Sequence, residues 1–131
     1  MKKLLLIVSF TLLCTLSLSA QKSKMTDSVW SYICALQIKH PEIVIRQAIL
    51  ESGWFKSSFL MSRNNLFGFR KVKYLQFKNW KESVEYYKKW QDKNYTNPKE
   101  DYYKFLVRIK YATTAYPAHL KKISWSKSCG S

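Results

Sequence analysis

The stretch that decides the fold is Gln47–Trp54, which reads Q-A-I-L-E-S-G-W. It follows Pro41, a residue that can open a helix at its first position. Apolar residues recur along this region with the spacing of one helical face. Gly53 suits the left-handed conformation that ends many helices. We therefore predict a helix from about Pro41 to Ser52 that ends abruptly at the glycine.

One acidic residue stands at the end of this predicted helix. Glu51 is the only acid between Glu42 and Glu82, and Trp54 and Phe55 follow it closely. A carboxyl group against aromatic surface loses hydration, which disfavours its charged form and raises its pKa, in some enzymes to about 6. Glu51 is therefore a candidate proton donor, although a Glu near a helix end is more commonly a solvated surface residue.

Capping residues and helical spacing predict a mostly helical chain around this segment. Further helices are expected after Asp27, after Ser57, over about 81–93, from about 101 and from Pro117. Between them, Phe69–Asn79 interleaves strand-forming and basic residues, which predicts an extended stretch. The expected fold class is α+β and mostly α-helical, with a single domain over 21–131.

The first twenty residues have the pattern of an export signal. Lys2 and Lys3 precede an apolar run, and small residues up to Ala20 follow it. This pattern indicates a cleaved signal peptide, and it is too short for a membrane span. We expect an exported protein, periplasmic or extracellular, that is a monomer with no membrane span.

The chain is strongly basic, which bears on its partners. It carries 23 Lys and Arg against 8 Asp and Glu, a formal net charge of +15; without the two lysines of the leader the balance is 21 − 8 = +13. Such a charge favours polyanions. For an exported protein these are cell-wall carboxylates and anionic envelope polymers, and no nucleic-acid partner is expected. Solubility is the other explanation for part of the charge.

Cysteine and histidine spacing indicates no metal site. His40 and His119 are isolated, and neither a glycine-rich phosphate loop nor a Gly-x-Ser-x-Gly motif occurs, so we expect no metal and no cofactor. Export permits a disulfide between Cys34 and Cys129, which would tie the C-terminal tail to the first helix. An unpaired, buried Cys34 is the alternative, and the sequence leaves this choice open.

Four segments carry more specific information. E-S-G-W at 51–54 is followed by N-N-L-F-G at 64–68, by F-K-N-W-K-E-S-V-E-Y-Y at 77–87 and by Y-A-T-T-A-Y at 111–116. Together and in this order they resemble the bacterial glucosaminidases of glycoside hydrolase family 73, which are mannosyl-glycoprotein endo-beta-N-acetylglucosaminidase-like enzymes that cleave peptidoglycan. The resemblance runs from about Val29 to Ile123.

The resemblance implies a lysozyme-like domain in which Glu51 is the general acid and Phe69–Asn79 forms the other wall of a cleft. It implies hydrolysis of the β-1,4 bond after N-acetylglucosamine in peptidoglycan glycan strands. The expected site residues are catalytic Glu51 and Tyr111 and substrate-binding Trp54, Asn65, Phe67, Tyr74 and Tyr116. By contrast, the helical spacing of Tyr87, Trp90 and Phe105 predicts core packing.

Departures from the family pattern leave the mechanism open. Thr114 stands where the family has the Asp of Y-A-T-D, the next tyrosine comes one residue early at Tyr116, and no acid occurs from Phe69 to Lys81. Glycosidases usually need a second group to stabilise the anomeric carbon. Here that group is either a remote acid such as Glu82 or the substrate's own acetamido oxygen, with Tyr111 orienting it or the attacking water. We favour the substrate's acetamido group.

Two functions from other classes remain as alternatives. A non-catalytic, basic wall- or glycan-binding module on the same fold would keep the cleft and lose the reaction. A secreted nucleic-acid binder would explain the charge but not the segment around Glu51. Activity on purified wall material distinguishes the hydrolase from the binding module.

Overall fold

A computed structural model describes residues 24–130, and the predicted signal peptide lies outside this part of the chain. The described chain is mostly helical, as predicted, and is built around one hydrophobic core. Its helices are α1 (24–35), α2 (Pro41–Ser52), α3 (Ser58–Met61), α4 (Trp80–Asn94), α5 (Tyr102–Arg108) and α6 (Tyr116–Lys121). None of the helices within 24–130 is long and apolar enough to cross a membrane.

The second helix confirms the prediction made from its sequence. α2 has Pro41 in its first turn and ends at Gly53, which has φ +58° and ψ +53°. The N–H of Trp54 donates to the Ile49 carbonyl at 2.8 Å, so the chain turns sharply away from the helix axis. Trp54 and Phe55 also have positive φ, an uncommon conformation for large side chains. The turn after α2 is therefore tight and specific.

α2 lies at the centre of the hydrophobic core. Its apolar face, formed by Ile45, Ala48 and Ile49, is fully buried, and the helix packs against α6. Tyr87 of α4 and Phe105 of α5 have no exposed surface, as their helical spacing predicted. Burial of a large apolar side chain is worth roughly 1.5–3 kcal/mol relative to exposure. The helix is therefore held firmly at its C-terminal end, where the acid stands.

Side-chain caps set several of the other helix boundaries. Ser57, Asn79 and Asp101 each accept a hydrogen bond from the backbone N–H three residues later, at 3.3, 3.1 and 3.0 Å. These caps satisfy N–H groups that have no partner inside a helix. The first helix ends at residue 35 and already includes Asp27, after which it was predicted to begin.

The predicted extended stretch, Phe69–Asn79, is not a β-strand. Within the described chain it contains one isolated antiparallel bridge, between Arg70 and Tyr74. The segment folds back on itself without a neighbouring strand to pair with, and Val72 at its tip is 90% exposed. The β element of the expected α+β fold is therefore not confirmed. The alternation of strand-forming and basic residues belongs to a surface loop, in which Phe69 and Phe77 are partly buried and residues 70–74 are exposed.

Cys34 and Cys129 form a disulfide, so the pairing that the sequence left open does occur. Their Cα atoms are 5.5 Å apart. The bond ties α1 to the C-terminal tail, where Trp125 packs on Trp30 with ring centroids 5.1 Å apart. The tail is thus fastened to the first helix by a covalent bond and an aromatic contact.

Candidate active site

The C-terminal end of α2 opens into a cleft of about 440 Å³. The cleft lies between the segment after α3, the second half of α4 and the turn after α5. The residues that line it are Glu51, Phe67, Gly68, Phe69, Arg70, Trp90, Asn94, Ile109, Lys110 and Tyr111. Glu51 is the one acid among these lining residues.

The backbone around Glu51 is fixed from both sides. The buried hydroxyl of Ser52 donates to the Ala48 carbonyl at 2.6 Å and accepts from the Phe55 N–H at 2.8 Å. On the opposite wall, a Cβ atom added to Gly68 would lie 3.5 Å from Glu51 Oε2. Gly68 has φ +67°, a conformation that favours glycine. The E-S-G-W and N-N-L-F-G segments therefore meet at the carboxyl group.

The environment of Glu51 favours its protonated form. Burial raises the pKa of Glu51, and the Tyr116 hydroxyl lowers it by a smaller amount. The raised pKa was predicted from loss of hydration beside Trp54 and Phe55; in the structure the aromatic residues that line the cleft with Glu51 are Phe67, Phe69, Trp90 and Tyr111. Glu51 therefore holds its proton at pH values where an exposed carboxyl is already ionised, as a general acid must.

Tyr111 stands beside Glu51 with its hydroxyl proton already engaged. It donates to the Phe67 carbonyl at 2.9 Å, and its ring packs near Trp90 and Tyr116, with centroids 5.4 and 5.8 Å away. Burial raises the pKa of Tyr111 well above its usual value, and the nearby Glu51 raises it further, so the phenol is neutral. The hydroxyl oxygen can therefore only accept a hydrogen bond from a group in the cleft.

Two buried polar atoms behind Glu51 have no hydrogen-bond partner in the described structure. They are the Tyr116 hydroxyl and Gln47 Nε2, on side chains that are 6% and 0% exposed. Burial raises the pKa of Tyr116 far above its usual value, Tyr111 and Glu51 raise it further, and the adjacent Gln47 amide lowers it. The Tyr116 side chain is therefore neutral. Its hydroxyl lies next to the Glu51 carboxyl, outside ideal hydrogen-bond geometry, and its proton is free to be donated.

Asn65 shapes the cleft wall from inside. The side chain is fully buried. Its Nδ2 donates to the carbonyls of Phe69 and Leu75 at 2.8 and 3.0 Å, and its Oδ1 accepts from the Phe69 N–H at 3.0 Å. Both amide protons are engaged with the backbone, so this geometry leaves no free N–H for the predicted substrate contact. Asn65 holds the loop that carries the cleft lining.

The other predicted contact residues divide between core and surface. Phe67 is 2% exposed and packs on Tyr87 with centroids 4.5 Å apart, while part of it reaches the cleft. Tyr74 is 39% exposed and packs edge-on against Phe59 at 5.1 Å. Neither Tyr74 nor Trp54 lines the cleft. Their predicted sugar contacts stay predictions and require a substrate that extends beyond it.

Comparison with known proteins bears directly on this arrangement. A family model described as Mannosyl-glycoprotein endo-beta-N-acetylglucosaminidase matches residues 32–127, which include the whole cleft. The chain belongs to the glucosaminidase family. The resemblance noted from the four sequence segments is therefore confirmed. Comparison of the chain with curated proteins and with solved structures finds no match.

A second acid does not line the cleft. Glu82, the remote candidate, accepts a hydrogen bond from the Lys78 N–H at 2.8 Å and stabilises the start of α4. Glu85 accepts from the Tyr32 hydroxyl at 2.6 Å. Within residues 24–130, no group of His, Cys, Asp and Glu side chains could hold a metal ion in place of the missing carboxylate.

The cleft is also lined by residues whose place in it the sequence did not predict. Trp90, predicted as core, lines the cleft together with Asn94, and Arg70 and Lys110 add two cations. Trp90 and Asn94 are four residues apart on one helix, so helical spacing could have paired them. Arg70 lies two residues after the N-N-L-F-G segment, whereas no sequence signal marks Lys110.

Proposed function

We propose that this protein is a peptidoglycan hydrolase that cleaves the β-1,4 bond after N-acetylglucosamine, with Glu51 as the general acid. The observation that carries the proposal is the burial of Glu51 at the end of α2, as the one acid lining the cleft. A carboxyl that holds its proton can give it to the leaving oxygen. Membership of the glucosaminidase family supports a glycan substrate.

The substrate is proposed to be met after export, in the periplasm or outside the cell. The basic, apolar leader that ends near Ala20 supports export. The strongly positive chain would then face an anionic wall, which it attracts over the range of a Debye length.

The absence of a second acid from the cleft lining supports participation by the substrate itself. The acetamido oxygen attacks the anomeric carbon as the glycosidic bond breaks, and Glu51 gives its proton to the leaving oxygen. Glu51, now a carboxylate, then takes a proton from the water that opens the resulting ring. Tyr111 can accept the acetamido N–H, which orients the group and makes its oxygen a better nucleophile.

Tyr111→Phe is expected to lower kcat by about tenfold or more while KM changes by less than about twofold. The ring still packs, but the oxygen that accepts the acetamido N–H is lost. Steady-state kinetics on soluble peptidoglycan fragments measure both constants. Tyr103→Phe is the matched control, because it removes one hydroxyl from a partly buried ring outside the cleft and should leave both constants unchanged. An unaltered kcat in Tyr111→Phe would make Tyr111 a packing residue only.

Arg70 and Lys110 indicate which glycan fits the cleft. Both cations line it beside the acid. A peptidoglycan strand carries carboxylates on alternate sugars, either on the free lactyl group or on the stem peptide that is amide-linked to it, whereas chitin is neutral. Exposed ion pairs are screened by salt and contribute on the order of 1 kcal/mol or less each. The cations therefore favour peptidoglycan modestly, and more strongly at low ionic strength.

Arg70→Gln is expected to raise KM for peptidoglycan fragments by about fivefold at low salt, and to leave KM for neutral chito-oligosaccharides unchanged. The difference should shrink as salt is added. Lys71→Gln removes one positive charge from the next residue, which does not line the cleft, and serves as the control. An equal rise of KM for both substrates would show that Arg70 does not select the anionic strand.

The alternative is a non-catalytic, basic glycan-binding module. The replacement of the family's Asp by Thr114 favours this binding function, because it removes a carboxylate. Thr114 is exposed and does not line the cleft. Incubation with purified peptidoglycan separates the two functions. Release of soluble fragments supports the hydrolase, whereas sedimentation of the protein with intact wall and no released fragments supports the binding module.

A further inference from the structure

The two unpaired atoms behind Glu51, Gln47 Nε2 and the Tyr116 hydroxyl, lie next to a series of buried hydrogen bonds. Gln47 precedes Glu51 by four residues, so both side chains leave the same face of α2. The Tyr87 hydroxyl, from α4, donates to Gln47 Oε1. Tyr87 is in turn bonded to the Tyr102 hydroxyl at 2.6 Å. One end of the Gln47 amide is therefore fixed by the buried core.

The direction of these bonds follows from the number of protons available. An amide oxygen can only accept, so Tyr87 gives its single proton to Gln47 Oε1. Tyr102 therefore donates to Tyr87, and Gln91 Nε2 donates to Tyr102 at 3.0 Å. With its oxygen held in this way, Gln47 has an unpaired Nε2 that neighbours the equally unpaired Tyr116 hydroxyl, and that hydroxyl in turn neighbours the Glu51 carboxyl. Each donor in the line points towards the acid.

We propose that Gln47 is a positioning residue, whose amide holds the Tyr116 hydroxyl so that this hydroxyl donates to the Glu51 carboxylate. The inference rests on Glu51 being the acid of the proposed function. A hydroxyl that accepts a hydrogen bond becomes a stronger donor, and a donor to a carboxylate favours its charged form. The line therefore opposes the effect of burial and lets the carboxyl both release its proton and take one back.

Few other ionisable groups face this carboxyl. Tyr111 is neutral and gives its proton to a backbone carbonyl. Arg70 and Lys110 also line the cleft. The α4 residues that line it, Trp90 and Asn94, do not titrate. A change at Gln47 therefore reaches the acid through Tyr116.

The test is Gln47→Met, which keeps the length and burial of the side chain and removes its amide. The pKa of Glu51 is measured by carboxyl ¹³C NMR in the ligand-free protein, and should rise by about half a unit. The acid works when protonated, so activity falls as pH rises through this pKa. That falling limb of the pH–rate profile should move to higher pH by a similar amount, with KM changed less than about twofold.

Two comparisons separate positioning from general destabilisation. Tyr95→Phe removes a buried hydroxyl that donates to the Glu100 carbonyl at 2.7 Å and lies outside this line, so it should lower the melting temperature without moving the carboxyl pKa. In a Tyr116→Phe background, Gln47→Met should add no shift. If Gln47→Met alone does not fold, Gln47→Met/Tyr87→Phe removes both bonding partners and carries the same test.

An unchanged pKa in a folded Gln47→Met variant would overturn the proposal, as would an equal shift in the Tyr116→Phe background. The NMR measurement does not depend on activity. A Glu51→Gln variant that stayed active would contradict the proposed function. That outcome is distinct from the pKa measurement, which tests the role of Gln47 alone.

Discussion

Glu51→Gln is expected to abolish peptidoglycan hydrolysis, with a loss in kcat of at least about a hundredfold. The amide keeps the shape of the side chain and its place at the end of α2, but it has no acidic proton for the leaving oxygen. Wall binding and the melting temperature should stay close to those of the unaltered protein, because the substitution removes a buried ionisable group without leaving a cavity. Release of reducing ends from purified wall measures the loss.

The matched controls are amide substitutions at the five acids that follow Glu51 in the chain. They are Glu82→Gln, Glu85→Gln, Asp92→Asn, Glu100→Gln and Asp101→Asn. Each should leave substantial hydrolysis if the substrate's acetamido group assists. Glu82 is the most informative, since it was the candidate second acid and instead caps the start of α4. A loss at Glu82 as deep as that at Glu51, in a folded protein, would favour a two-carboxylate mechanism, and the product's stereochemistry would then report the spacing of the pair.

Replacing Cys34 and Cys129 by Ser is expected to destabilise the protein by about 2–5 kcal/mol. The bond closes a loop with a sequence separation of 95 residues, and loss of so long a cross-link releases a large conformational entropy in the unfolded chain. The melting temperature should fall by roughly 10–20 °C. Neither cysteine lines the cleft, so hydrolysis at low temperature should persist.

Reduction of the unaltered protein provides the control for this effect. A thiol reductant should lower its melting temperature towards that of the double-serine variant and should have no effect on the variant itself. Equal melting temperatures of the oxidised protein and the variant would mean that the tail and α1 are held by packing, as between Trp30 and Trp125, rather than by the bond.

The sequence was sufficient for the helix that carries the acid. Proline at its start, apolar spacing along it and Gly53 at its end are local signals, and together they predicted α2 with its observed bounds. The raised pKa of Glu51 was also predictable, because it requires only that a carboxyl at such a helix end be buried. Its actual neighbours come from distant segments, and local pattern could not identify them.

The roles of Asn65 and Trp90 depend on tertiary structure in a way that the sequence does not encode locally. The motif that contains Asn65 predicted a substrate contact, but the amide is surrounded by backbone groups of the loop that follows it. Trp90 has the spacing of a core residue and is one, except that one side of it reaches the cleft. A spacing rule cannot distinguish a side chain that ends inside the core from one that ends at its edge.

The predicted extended segment is not confirmed as a strand, whereas the disulfide, which the sequence left open, does form. Phe69–Asn79 has strand-forming residues, but a strand needs a partner, and the described chain offers none beyond the Arg70–Tyr74 bridge. Cys34 and Cys129 have no local signal at all, because their approach is a consequence of how the tail returns to α1.

Reducing-end analysis of peptidoglycan digested by this protein tests the central claim most directly. Purified wall is incubated with the protein and with Glu51→Gln, and the sugars at the newly formed ends are reduced and identified. We expect N-acetylglucosamine at the new reducing ends with the unaltered protein and no new ends with Glu51→Gln. N-acetylmuramic acid at the new ends, or the same number of ends from both proteins, would contradict it.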